Sequence, residues 1–156
     1  MKILICTIFL CLPSVVYTQV QKTITKFIIT ESTSNGIDNT QFDYNRGGYF
    51  VFYENNLKKI CLANVCEKSN DQSYGQIFNI NSRTEEETST TYKTQIFNFR
   101  WKYYNTYDSK TGYATIKLSK IYKPQGIVFY LIMILPNLDK LTYTGYMDGS
   151  LQLEKY

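Results

Sequence analysis

No histidine occurs anywhere in the 156 residues. The commonest general base is therefore missing, and with it the Ser-His-Asp and Cys-His arrangements that activate a nucleophile. The sequence also lacks a P-loop and a Gly-X-Gly-X-X-Gly fingerprint. No stretch carries a helical hydrophobic period of useful length, alanine is scarce, and no apolar run approaches the roughly twenty residues of a membrane-spanning helix. Strong charge is absent too. The formal charge is only +4, and Lys and Arg are spread along the chain and answered by Glu31, Glu54, Glu67 and Glu85 to Glu87. A nucleic-acid surface needs a clustered basic face, so no nucleic-acid partner is expected.

The first residues, "MKILICTIFLCLPSVVYTQ", contain Lys2, an apolar run over residues 3–12, a helix-breaking Pro13 and small or β-branched residues before Gln19. That is the layout of a secretory signal. Cys6 and Cys11 follow Ile5 and Leu10, where a lipoprotein signal would want a small residue. The reading is a signal peptide over residues 1–18, a single domain over 19–156, secreted or periplasmic localisation and no membrane span after signal removal. Processing takes the formal charge to about +3 and leaves two cysteines, Cys61 and Cys66, in "ICLANVCEK". An oxidising compartment makes them candidates for a disulfide. Their odd separation puts them on opposite faces of a regular strand, so a bridge needs a turn or bulge near Ala63 and Asn64. Two readings stay open, a bridge or two buried thiols. Four intervening residues and no histidine point away from zinc.

What is abundant is Tyr, Phe, Ile and Thr, broken by short polar clusters, which is the composition of β-structure. Strands are expected over residues 20–31, 48–54, 57–63, 73–80, 113–122, 127–135 and 140–147, with a last one in "SLQLEKY" after a type I′ turn at Asp148-Gly149. "STSNGIDNT" reads as a loop. Asn55-Asn56 reads as a tight turn tolerating positive φ, and Gly75 marks a bulge or a close approach. "NSRTEEETSTT" reads as a solvated loop, because three consecutive glutamates cannot wrap one calcium ion. Residues 127–135, "IVFYLIMIL", are apolar on both parities and are expected to be covered on both faces or to form a buried barrel stave.

The stretch "FNFRWKYYNTY" from Phe97 to Tyr107 decides between two classes. Phe97, Phe99, Trp101 and Tyr103 share one parity, and Asn98, Arg100, Lys102 and Tyr104 the other. A strand with this pattern buries its rings and wets its charges. A single-strand nucleic-acid platform needs rings and cations in one groove, and pleating separates them.

About eight strands joined by short turns, with no crossover helix, make a mostly antiparallel meander. Such a sheet closes into a barrel or folds into a two-sheet sandwich. The barrel is preferred, and its architecture resembles the lipocalin or calycin group, without the Gly-X-Trp signature near the first strand. The short signal ending at Gln19, the Asn, Tyr, Lys and Thr bias, and the pieces "EKSNDQSYGQIFNI", "TYKTQIFNFRWKYYNTYD" and "KIYKPQGIVFYLIMILPNLDKLTYTGYMDGSL" resemble small exported proteins of uncharacterised function from Bacteroidetes such as flavobacteria.

Two meeting carboxylates can run a glycosidase, and a pair among Asp43, Glu54, Glu67 and Asp71 would have to meet in the fold, but each reads more simply as a turn or surface residue. No catalytic residue, cofactor or metal ligand is assigned, and no enzyme is expected. Two non-enzymatic functions remain. The first is binding of a small hydrophobic ligand inside the barrel, with Phe97, Phe99, Trp101, Ile116, Leu118 and Phe129 as ligand-lining or core residues. The second is an envelope or extracellular structural and interaction module that meets protein or glycan through surface tyrosines such as Tyr104 and Tyr107. Intact mass of the exported product is expected to place the cut after Thr18 or at a neighbouring bond; a full-length product retained in the cytoplasm would overturn the export reading.

Overall fold

The computed structural model describes residues 22–86 and 93–156, so the signal expected over residues 1–18 lies outside the described residues. The strands are β1 (Lys22–Ser34), β2 (Ile37–Asp38), β3 (Gly48–Glu54), β4 (Ile60–Cys66), β5 (Asp71–Glu85), β6 (Thr94–Asn105), β7 (Lys110–Lys123), β8 (Gly126–Ile134) and β9 (Lys140–Asp148). Each strand from β3 to β8 pairs antiparallel with the next, β1 pairs with β3, and β9 returns to β1. Eight antiparallel strands thus close a calycin-like barrel, and β2 is a two-residue extra strand on β1.

The alternation in β6 and β7 sets the inside. Phe97, Phe99 and Trp101, with Ala114, Ile116 and Leu118 opposite them, are all at most 2% exposed. From the facing wall come Phe27, Phe50, Phe52, Leu62 and Leu131, all at 0%. The rings meet edge to face, as Phe50 and Tyr143 do at 4.9 Å between centroids. Trp101 donates its indole N–H to the Leu62 carbonyl at 3.1 Å, which satisfies the one polar atom that its burial would orphan.

In β1, Ile24 and Ile28 share the parity of Lys22 and Lys26, yet the strand still buries a face, because the register shifts twice. One bulge lies between Thr23 and Thr25 and the other between Ile29 and Glu31. Each extra residue flips the parity, so that Thr25, Phe27 and then Ser32 are buried in turn. Gly75 is a close approach, since a Cβ there would stand 1.9 Å from the Lys102 carbonyl oxygen. The nearby bulge falls between Phe78 and Asn81 instead, where Asn79 takes φ 54°.

Four expectations are corrected. Residues 40–46, "TQFDYNR", form a helix, α1 (Thr40–Arg46), closed by Gly47 in the left-handed region. It buries no residue, so no apolar period existed to reveal it. The β3–β4 turn places positive φ at Lys58, while Asn55 Oδ1 accepts the backbone N–H groups of Leu57 and Lys59, both at 3.0 Å. The expected loop from Asn81 begins as strand, because β5 runs on to Glu85; residues 87–92 lie outside the described residues. Asp148-Gly149 makes no hairpin. With β9 already paired to β8 and β1, no free edge remains for another strand. Gly149 turns the chain across the barrel end instead, where Leu151 and Leu153 are buried as a cap. In β8, Phe129, Leu131 and Met133 face inward while Val128, Tyr130, Ile132 and Ile134 form a half-buried outer stripe.

Trp101→Phe is expected to cost about 2–4 kcal/mol, from lost contacts and an unpaired Leu62 carbonyl. It should read as a lower urea midpoint at unchanged m-value, with blue-shifted indole emission in the parent protein; water-like emission would overturn the buried assignment.

Candidate functional site

The six residues proposed from sequence as ligand-lining or core are core. Phe97, Phe99, Trp101, Ile116, Leu118 and Phe129 are at most 7% exposed, belong to one buried hydrophobic cluster, and line none of five pockets found at the surface. Those pockets lie on the outer wall and at the two ends. Arg100 and Lys102 point outward over the Tyr113 ring, at 5.6 and 5.9 Å from its centroid. Cys61 and Cys66 are free thiols. The bridge needed a break in the strand, and β4 keeps an unbroken register with β3 from Ile60 to Cys66, which leaves the two sulfurs on opposite faces. Tyr104 stands on the outer wall against Tyr74, 5.9 Å between centroids and 37% exposed. Tyr107 is 80% exposed on the β6–β7 turn.

Polar side chains gather at one end of the barrel, called the mouth, where β4 ends, β5 begins and β6 ends. Asn64, Ser73 and Asn105 are partners across these three strands. Each shares the inward parity of its own strand, continuing Ile60–Leu62, Ile77 and Trp101–Tyr103 toward the mouth with a polar residue. Together with Arg46, Cys66, Asp71, Gln72 and Tyr107 they line a pocket of about 190 Å³. Sequence reading missed this group. The available signal was an amide or hydroxyl placed on the core-facing parity at a strand end.

The mouth is held by polar contacts. Arg46 at the end of α1 lies 3.1 Å from the Asp71 carboxylate and donates to Ser69 Oγ at 3.3 Å. Backbone N–H groups of Glu67 and Lys68 bond to the carbonyls of Gly47 and Arg46. Asp43 in α1 accepts from Ser32 Oγ at 2.5 Å and from Asn39 Nδ2 at 3.2 Å. The turn carrying Tyr107 is tied to β5 by Thr106, whose backbone N–H and side-chain oxygen both engage Gln72. Tyr107 donates its own backbone N–H to Asn105 Oδ1 at 2.8 Å. Such ties reduce the ordering cost of any contact made there.

Three of the four carboxylates considered from sequence are thus in structural use. Asp43 and Asp71 anchor α1, and Glu54 bonds to Lys58 at 3.1 Å and to the Tyr156 hydroxyl at 3.0 Å. Among the described residues no group of three or more Cys, Asp or Glu is placed to hold a metal ion. Burial pushes the Cys66 thiol up, with Arg46 pulling it back and Asp43 and Asp71 adding to the rise. Burial also holds the Tyr143 phenol, behind the mouth, well above its ordinary value of 10.0, with Asp43 and Cys66 adding to the shift. On the outer wall, burial and then Cys61 do the same for Tyr53.

These two phenols give a test of the barrel's integrity. Their folded values lie above the unfolded value of 10.0, so the stability they contribute is full below pH 10 and is lost as pH rises beyond it. In an alkaline titration followed by phenolate absorbance, Tyr53→Phe and Tyr143→Phe are each expected to remove a step that coincides with loss of near-ultraviolet circular dichroism. A step that precedes unfolding would contradict the placement.

No family model, no curated protein and no solved structure matches this chain.

Proposed function

We propose that the protein is an exported, non-enzymatic interaction module that meets its partner at the mouth of the barrel. The supporting observation is a contrast within one molecule: the interior is filled by rings and aliphatic chains, while one end of the barrel presents accessible polar groups together with exposed apolar residues. Besides Tyr107, that end carries Ile37 at 74% and Tyr44 at 75% exposure in the segment between β1 and β3, and Leu138 at 81% in the β8–β9 turn. Exposed aromatic and apolar residues beside accessible polar ones are the usual composition of a contact surface. A ligand enclosed by the barrel would need space that Trp101, Phe52 and Phe99 occupy, so the interaction module is favoured over the carrier of a small hydrophobic molecule. Export rests on the sequence of the first eighteen residues.

Immobilised protein probed with a glycan array and with envelope extract is expected to retain a partner. Tyr107→Ala should abolish retention while circular dichroism and thermal midpoint stay unchanged, and Tyr104→Ala, on the outer wall, should keep it. No retained species, or retention indifferent to Tyr107→Ala, would overturn the mouth as the contact surface.

A further inference from the structure

The hydrogen-bonding groups of the mouth pocket define a chemistry. Among the described residues the side chains of Asn64, Ser73 and Gln72 form no hydrogen bond, and Asn105 uses only its Oδ1, which accepts from Tyr107. No buried polar side-chain atom among the described residues is left without a partner, so these free groups are open to whatever enters. Each amide presents an acceptor beside two donors, and a serine hydroxyl serves as either. Vicinal hydroxyls carry the complementary set.

Charge narrows the choice. Among the residues lining the pocket the one cation, Arg46, is committed to Asp71 at 3.1 Å, so the lining itself carries no unpaired charge of either sign. A phosphate or carboxylate would need an uncommitted cation. Size narrows it again. About 190 Å³ is below the roughly 300–1,000 Å³ of pockets that enclose a drug-sized ligand, and it suits a single ring. An extended peptide gains most of its affinity by adding to a sheet edge, and the eight-stranded ring has no edge at this site. Finally, Tyr107 supplies a flat, exposed aromatic face at the rim, where the C–H face of a saturated ring can pack.

We infer that the mouth pocket binds one uncharged sugar ring, held by the amides of Asn64, Asn105 and Gln72 and the Ser73 hydroxyl and packed against Tyr107. The inference rests on the mouth being the contact surface and names the ligand class for it.

The test is a titration of the 15N-labelled protein with the methyl glycosides of glucose, galactose, mannose and N-acetylglucosamine, with methyl glucuronide and adenosine run alongside. At least one neutral glycoside is expected to move the side-chain amide signals of Asn64 and Asn105 and the backbone signal of Tyr107 saturably, with Kd on the order of 1 mM for a one-ring site. Tyr107→Ala should weaken that binding about tenfold or more, while Tyr107→Phe, which keeps the ring, and Tyr104→Ala, on the outer wall, should leave it within about twofold. Asn64→Ala should abolish it in a protein whose remaining amide spectrum is unchanged. If no neutral glycoside moves these signals, or if only the glucuronide or the nucleoside does, the sugar assignment is overturned. Tyr107-dependent capture of a protein partner in that event leaves the mouth as the contact surface and removes only its ligand; loss of both removes both.

Discussion

The pairing of β1 with β9 is the constraint on which the rest of the molecule depends. It joins residues 26–34 to residues 141–148 across nearly the whole described chain, and it turns a meander with two raw edges into a ring with none. One consequence is the inward convergence of Phe27, Phe50 and Tyr143, which come from the first, second and last strands of the ring and pack edge to face. Another is the fate of the C-terminal residues. Denied an edge to extend, they cross one end of the barrel and seal it with Leu151 and Leu153, and Glu154 receives a hydrogen bond from Gln95. The two bulges in β1 make closure compatible with burial, since the strand has to serve two neighbours while keeping Thr25, Phe27 and Ser32 on the inside.

A filled barrel moves chemistry to its ends. Small barrels either pack their interior or leave room for a ligand, and fifteen tyrosines and nine phenylalanines in one chain supply enough volume for the first outcome here. The end opposite the C-terminal cap is finished with polar residues instead of apolar ones. Asn64, Ser73 and Asn105 occupy inward positions where water still reaches, and α1 is fastened over that end by Asp43 and Arg46 without burying a residue of its own. A helix held this way contributes little to the core. It does place Arg46 against Asp71, and this pair sets the electrical neutrality of the pocket.

The candidate site was less legible than the fold for a definable reason. An amide at the end of an inward parity is a weak signal on one strand, and it acquires meaning only when three adjacent strands present one in register. Asn64, Ser73 and Asn105 lie nine and then thirty-two residues apart along the chain, and only the β4–β5–β6 registers bring them together. Tyr107 was legible as an exposed ring because it falls outside the alternation of "FNFRWKYYNTY", but nothing local shows that its turn is tied back to Gln72. Helix α1 was illegible because periodic burial is what marks a helix in sequence, and this one has none.

The sequence by itself determined the class of the protein. Period-two alternation in residues 97–103 and 113–118 assigned rings to one face and charges to the other, the lack of crossover helices made the sheet antiparallel, and the lack of histidine removed whole families of catalysis. These are local properties, set by backbone pleat and side-chain chemistry. Tertiary structure alone decided that the sheet closes on itself, that Asp148-Gly149 starts a cap and not a hairpin, that Cys61 and Cys66 stay apart on a regular strand, and that three distant amide and hydroxyl side chains share one mouth. Each of these depends on which strand lies beside which, and pairing between distant strands is fixed by the whole barrel's burial of its core, not by any segment's own preference.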